Sequence, residues 1–217
     1  MRIAISGTNN QRKTDLVQQM LVKWPVYQTP ESDYKDTLER IAEEFPEPGQ
    51  IKSCDIQWDI LNEMLDTMQT YSEDDKVIFN RCPLDNIVYS LYLHEKDPEG
   101  SGIDNAFIEK CIPIVRESMK LLDIIYTVPI TSSEETEYEI MDKEIDTLFL
   151  MMFKESQKDS STFFPGDDRP AVIEVFGNDP ERLHMIGMYL DDEGELIGGD
   201  PDWNNIIDPS LSIENFR

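Results

Sequence analysis

Apolar positions recur along this chain in two distinct periods. Four short runs are almost continuously apolar: RIAIS (2–6), KVIFN (76–80), DIIYTV (123–128) and AVIEVF (171–176). Each is strand-length, and a run with no polar alternation fits a strand covered on both faces. Between them the spacing changes to three and four. Leu16, Met20, Leu21 and Trp24 mark a helix from Lys13 that Pro25 stops, and Val26–Thr29 is short and apolar enough for a second strand. Helical spacing continues over Tyr34–Phe45 and Asp55–Tyr71. It returns from Pro83, well suited to a first turn, to about Lys96. Ile103–Leu122 is a further helix that Pro113 should kink, and 134–157 an acidic amphipathic helix or helix pair. A last helix should start near Glu181, and MYLDDEGELIGG could turn back on itself as a hairpin around Asp192–Gly194.

Strands alternating with helices predict a parallel sheet sandwiched between helical layers. The expectation is an α/β fold with a central, mostly parallel five-stranded sheet. The patterned part is residues 1–190; from 191 to 217 the chain is acidic, rich in Gly and Pro, and reads as an extension. In open parallel sheets ligands bind beyond the carboxyl ends of the strands. The loops after Ser6, Thr29, Phe79, Val128 and Phe176 should therefore share one functional edge.

Composition narrows the class. A chain of 217 residues buries roughly 70% of its unfolded surface without help from metals or disulfides. Cys54, Cys82 and Cys111 are scattered and odd in number, a pattern of reduced thiols in a cytoplasmic protein. No apolar stretch approaches membrane-spanning length, no secretory leader is visible, and two histidines offer no metal pair. Nineteen basic against 45 acidic residues leave a net charge of −26, which opposes broad binding to duplex nucleic acid. Yet Met1–Trp24 carries Arg2, Arg12, Lys13 and Lys23 against one acid, Asp15, so positive charge gathers near GTNNQRKT.

That stretch, residues 7–14, has the outline of a phosphate-binding loop. It follows an apolar strand and opens an amphipathic helix, so loop N–H groups and the helix dipole would face an anion. Gly7, Thr8, Asn9, Asn10, Gln11 and Arg12 would wrap the phosphates of ATP. Lys13 would reach the β- and γ-phosphates and Thr14 would offer its hydroxyl to Mg2+. Arg12 stands where such loops carry glycine. It must turn its side chain outward or accept a constrained backbone, and it could either add charge to the site or weaken it.

A second constellation is Asn80-Arg81-Cys82-Pro83-Leu84-Asp85, with Tyr89 one turn on. Together with the loop, with CDIQWDIL before it and with DIIYTVPI and VIEVFGNDPERL after it, this resembles the P-loop nucleoside and nucleotide kinases. The likeness is greatest to the small kinases grouped with NAD metabolism and found in phages, and it covers most of residues 1–190. It implies a three-layer P-loop fold and an ATP–Mg2+-dependent phosphotransferase. Arg81 would touch phosphate or acceptor, Asp85 would orient Arg81 or shape the acceptor pocket, and Asn178–Arg182 would lie beside the adenine. The acid such kinases carry before the arginine is Asn80 here, leaving Asp55 or Asp33 to support the metal. The region matching the closing lid, SSEETEYEIMDKEID, has seven acids and one basic residue, Lys143. Lys143, Lys154, Lys158, Arg169 or Arg12 would have to stand in for the usual arginines.

For the acceptor, TPESD supplies Glu31 and Asp33 as candidate bases, and Tyr34 and Trp58 could stack on a base. The acceptor is expected to be a nucleoside or nucleotide. Relatives acting on hydroxymethylated pyrimidines leave modified DNA open, against which the charge counts. Arg12, Asn80 and the basic-poor lid are equally what an ATP-binding module without turnover would show.

Overall fold

The computed structural model describes residues 1–9, 11–32, 34–45, 52–131, 139–156, 158, 160–166 and 168–197. The candidate residues Asn10 and Asp33, part of the lid region and most of the C-terminal extension lie outside these. Four parallel strands, β1 (Arg2–Ser6), β2 (Val77–Asn80), β3 (Ile124–Thr127) and β4 (Ala171–Glu174), form one sheet in the order β2-β1-β3-β4.

Side chains alternate across that sheet. Ala4, Phe79 and Ile125 face one apolar core, whereas Ile3, Ile5, Ile78, Ile124 and Tyr126 face the other. The first face is covered by α3 (Cys54–Gln69), α4 (Pro83–Lys96), α6 (Asn105–Lys120) and α7 (Ile140–Ser156), through residues such as Leu61, Ile87, Val115 and Phe149. The second is covered by α1 (Lys13–Lys23) and α8 (Asp179–Ile186), through Leu16, Met20 and Ile186. This is why the strand runs show no polar alternation: both faces are interior. Each fully buried Leu, Ile or Met contributes about 1.5–3 kcal/mol, so the two faces hold the sheet centrally in three layers.

The remaining helix, α2 (Tyr34–Glu44), packs on α3 through a separate small cluster of Ile41, Ile56, Ile60 and Met64. A short turn of helix, α5 (Pro98–Ser101), capped by Asp97, follows α4. Pro113 lies within α6 without interrupting it. Its ring faces solvent, so the carbonyl that loses its partner can be hydrated.

The expected fifth strand is a correction. Val26–Thr29 makes one parallel bridge, Gln28 with Val77, and the sheet has four strands among the described residues. Gln28 donates to the Lys76 carbonyl and accepts from Ile78 N, both at 2.9 Å. Pro25 and Pro30 bracket the segment, and a residue without an N–H cannot extend a ladder. The hairpin near Asp192 does form, with Leu190 bridged to Leu196 and Gly194 N donating to the Asp191 carbonyl.

No described helix is long and apolar enough to cross a membrane.

Candidate functional site

The strands end at Ser6, Asn80, Thr127 and Glu174, and the candidate residues gather on this edge. The loop between β1 and α1 starts with a position only glycine suits. Gly7 has φ +133°, and a Cβ there would lie 2.6 Å from the Val128 carbonyl oxygen. At the other end Arg12 takes the left-handed conformation, φ 53° and ψ 34°, before Lys13 opens the helix. The backbone curvature that glycine usually supplies is thus present with arginine supplying it. Its guanidinium turns away from the loop to Asp15 (Nε–Oδ2 3.0 Å) and Asp179 (Nη2–Oδ2 2.8 Å). Both outcomes open from the sequence, an outward side chain and a constrained backbone, occur together.

Asp85 is the centre of the loop's foundation. Sitting in the first turn of α4 and nearly buried, it accepts from Ser6 Oγ (2.9 Å), Gly7 N (3.3 Å), Cys82 N (3.1 Å) and Arg81 Nη1 (3.1 Å). The Arg81 bond joins the two residues that the resemblance paired. Asp85's partners are the loop and the start of α4. Arg81 also donates to the Gly7 carbonyl (3.2 Å) and Asn9 Oδ1 (2.6 Å), and its guanidinium lies 5.1 Å from the Tyr34 ring centre. With φ 82°, Arg81 is the second non-glycine residue of positive φ among those described. Both such residues are arginines flanking the loop, each tethered to a nearly buried carboxylate.

Lys13 is buried and donates to the Thr8 carbonyl. Burial pushes its amine well below the usual lysine range, and Arg81 and Arg182 push the same way, while Asp85 and Asp146 oppose them. Arg182 reaches Gln11 twice, Nη1 to the carbonyl at 2.8 Å and Nη2 to Oε1 at 3.1 Å. That leaves the buried Gln11 Nε2 without a partner among the described residues. Arg182 therefore supports the loop from behind, whereas the sequence placed it beside adenine. Asn178 caps α8, accepting from Glu181 N at 3.1 Å. Thr14 is exposed in the first turn of α1, and its Oγ1 accepts from Asn80 Nδ2 at 3.0 Å.

A shallow, solvent-open cleft lies beside the loop, between the end of β2, α2 and α3. Its floor is Met64, Met68 and Phe79, and its polar wall includes Tyr34, Thr37, Glu63, Thr67, Asn80 and Arg81. Burial raises the Tyr34 hydroxyl to about 12, partly offset by Arg81, so it stays a neutral donor. Glu63 accepts from Thr37 Oγ1 at 2.9 Å and pairs with Arg40.

Other candidates fall elsewhere. Glu31 is exposed at the cleft rim next to Pro30. Trp58 packs against the main core under Lys110, whose Nζ is 3.4 Å from its ring centre, and does not line the cleft. Asp55 is exposed in the first turn of α3 beside Cys54. Arg169 donates to the carbonyls of Ser156 (2.9 Å) and Lys158 (3.4 Å), Lys158 pairs with Glu155, and Lys154 lies near Glu174. These serve α7 and its surroundings.

Three acids near the site were not among the sequence candidates: Glu63, and Asp142 and Asp146 of the acidic lid-like stretch. Asp142 presents its carbonyl to Thr8 Oγ1 (3.3 Å), which brings α7 against the loop. Asp146 accepts from Ile130 N (3.0 Å), and burial raises its carboxyl to about 6, Lys13 and the Ile130 bond resisting. The signal was available: Asp142, Ile145, Asp146 and Phe149 share one helical face, and acids on an apolar face need a reason. No group of three or more metal-ligating side chains occurs among the described residues.

No protein-family model matches the chain, and no curated protein matches it. Among solved structures it is similar to the NadR protein in complex with NR, with a TM-score of 0.58 and 14% identity. The match covers 85% of this chain and 46% of that one, so the chain spans about half the NadR protein's length. At that identity the likeness shows the fold alone: an α/β architecture with a parallel sheet between helical layers.

Proposed function

We propose that the chain is a kinase that binds ATP with its phosphates along Gly7–Arg12 and transfers the γ-phosphoryl group to a hydroxyl of a small acceptor, a nucleoside by preference, in the adjacent cleft. One observation carries the reading. A loop with left-handed turns at both ends and buried Lys13 opens α1 at the carboxyl edge of a parallel sheet, and Arg81 belongs both to it and to the cleft. Gln11 Nε2 adds a buried donor at the loop. A buried donor without a partner costs about 1–3 kcal/mol, and a phosphate oxygen would relieve it.

Phosphoryl transfer needs positioning and charge neutralisation more than covalent help. Lys13 would exchange the Thr8 carbonyl for phosphate oxygens. Phosphate charge there would favour the ammonium form that burial disfavours. Arg81, already oriented by Asp85, would face the transferring group from the cleft side. Mg2+ would neutralise developing charge between the phosphates. The protein offers it the exposed Thr14 hydroxyl, while Asn80 contributes a neutral amide, so the phosphates would supply most of its ligands.

The cleft favours a hydroxyl over a phosphate acceptor. Arg81 is the one cation among the described lining residues, and it is already bound to Asp85, Asn9 and the Gly7 carbonyl. Among those residues a monophosphate would enter beside Glu63 with no further cation to meet it, whereas sugar hydroxyls could bond Glu63, Thr37 and Thr67. Met64, Met68 and Tyr34 would hold the flat part of the acceptor. DNA as acceptor is opposed by the net charge of −26.

A second reading, nucleotide binding without turnover, is favoured by Asn80, which holds Thr14 where the resembling kinases carry an acid. The test is transfer of label from γ-labelled ATP–Mg2+ to nucleosides, nucleoside monophosphates and plain or hydroxymethylated DNA, beside Lys13→Ala. Label on a nucleoside, lost in the variant, is expected. Label on a monophosphate or on DNA would correct the acceptor, and ATP binding with no transfer to anything would leave the module.

A further inference from the structure

We propose that Arg12 is a positioning residue. Its tether to Asp179 holds the phosphate loop in the left-handed turn that glycine would adopt unaided. The inference rests on reading Gly7–Arg12 as a phosphate-binding loop. It goes beyond that reading in giving the one departure from the usual loop a role.

A non-glycine side chain in the left-handed region crowds its own backbone, and such conformations persist only where the surroundings over-determine them. The surroundings here are specific. Asp179, in the first turn of α8 and nearly buried, takes Arg12 Nη2 at 2.8 Å, Gln19 Nε2 at 3.3 Å and Arg182 Nη1 at 3.9 Å. Its position also places a negative charge at a helix N-terminus, where the dipole stabilises it. Arg182, one turn further along α8, clamps Gln11 through both its carbonyl and its side chain. The last two residues of the loop are thus fixed to one helix, α8, by two arginine contacts running in opposite directions. One arginine reaches from the loop to α8 and the other from α8 to the loop.

Asp15 adds a second carboxylate to Arg12 at 3.0 Å, but it is exposed and lies on α1 itself, so it cannot tie the loop to another element. Surface pairs of that kind contribute little. The Asp179 pair differs because its acid is nearly buried and shared by three donors. Arg81 repeats the device on the other side of the loop, its positive φ accompanied by a bond to Asp85. The guanidinium of Arg12, engaged by two carboxylates, is thereby a brace and not a contact to the transferring phosphoryl group.

The experiment is titration of ADP–Mg2+ and of tripolyphosphate–Mg2+ against wild type, Arg12→Ala, Asp179→Asn, their double variant, Arg12→Gly, and Arg12→Gly with Asp179→Asn. Arg12→Ala and Asp179→Asn should each weaken both ligands about tenfold, and the double variant should be no weaker than either alone. Arg12→Gly should bind more tightly than Arg12→Ala, because glycine needs no tether, and Asp179→Asn should weaken binding less in that background than in wild type. A merely structural ion pair would lower the unfolding temperature and leave affinity unchanged, and that result overturns the proposal. So does additivity of the two single changes, or Arg12→Gly binding as weakly as Arg12→Ala. Unchanged affinity with reduced turnover in all Arg12 variants would overturn it in favour of direct contact with the reacting phosphate. Wild type that binds tripolyphosphate but not ADP would remove the nucleotide reading and leave the brace to be judged by the same variants. Wild type that binds neither would remove both.

Discussion

Around Lys13 the structure is densely cross-linked; around Glu63 the described residues share fewer buried contacts. The loop is held by Asp85 and Arg81 from the β2–α4 junction, by Arg182 and Asp179 from α8, and by Asp142 from α7, nearly all of them buried. The cleft's outer wall is α2, which rests on α3 through the small cluster around Ile41 and Ile60 and through Thr37 and Arg40 binding Glu63. On the proposed function, the chemistry of each side would account for the contrast. Phosphates are alike in every nucleotide and reward a rigid, pre-oriented set of donors, since reorganisation at the moment of transfer would raise the barrier. An acceptor must enter and leave, and a wall with few buried contacts opens at low cost.

The contrast can be broken most forcefully at Asp85. Asp85→Ala leaves four donors and the Arg81 charge without their acceptor in the interior. It should cost about 3–5 kcal/mol of stability, read as a lower urea midpoint with nucleotide binding lost as well. Gly7→Ala strikes the same side through the backbone. A methyl group 2.6 Å from the Val128 carbonyl at φ +133° should cost about 2 kcal/mol, again by urea unfolding.

On the cleft side, Glu63→Gln should leave unfolding almost unchanged but raise KM for the acceptor about tenfold, with ATP binding intact. Equal losses in stability and affinity would mean that α2 is as firmly built in as the loop. The smallest expected effect is on Asp146. Its carboxyl is raised from 3.8 to about 6 in the folded protein, so the native state holds its proton more tightly than the unfolded chain. That contribution to stability is complete below pH 3.8 and is lost as pH rises towards about 6. Other carboxylates titrate there too, so the observable is a difference. Asp146→Asn should be more stable than wild type at pH 7, and that advantage should shrink on acidification and vanish near pH 4. An advantage that does not change with pH would rule out Asp146 as its source.

Much of the loop was legible because its determinants are adjacent in sequence: a strand, a glycine, and Lys13-Thr14 opening a helix. Asp85's link to Arg81 was also readable, being one helical turn long. The cleft was not. Glu63 and Thr37 lie on two helices 26 residues apart in sequence, and nothing in either helix alone distinguishes a cleft wall from a solvated face. Trp58 shows the converse, since an aromatic at helical spacing looked available for stacking and packs on the core instead.

By itself, then, the sequence determined the parallel α/β arrangement, through apolar runs that tolerate no polar face, and the place of the loop before Lys13, through short-range spacing. The tertiary structure alone decided how many strands pair, because Pro25 and Pro30 leave the segment between them a single bridge, Gln28 with Val77, on β2's outer edge. It alone decided the fate of Arg12. Whether an arginine can hold a left-handed turn depends on a carboxylate 167 positions away, at Asp179, and spacing along a chain carries no record of such distances.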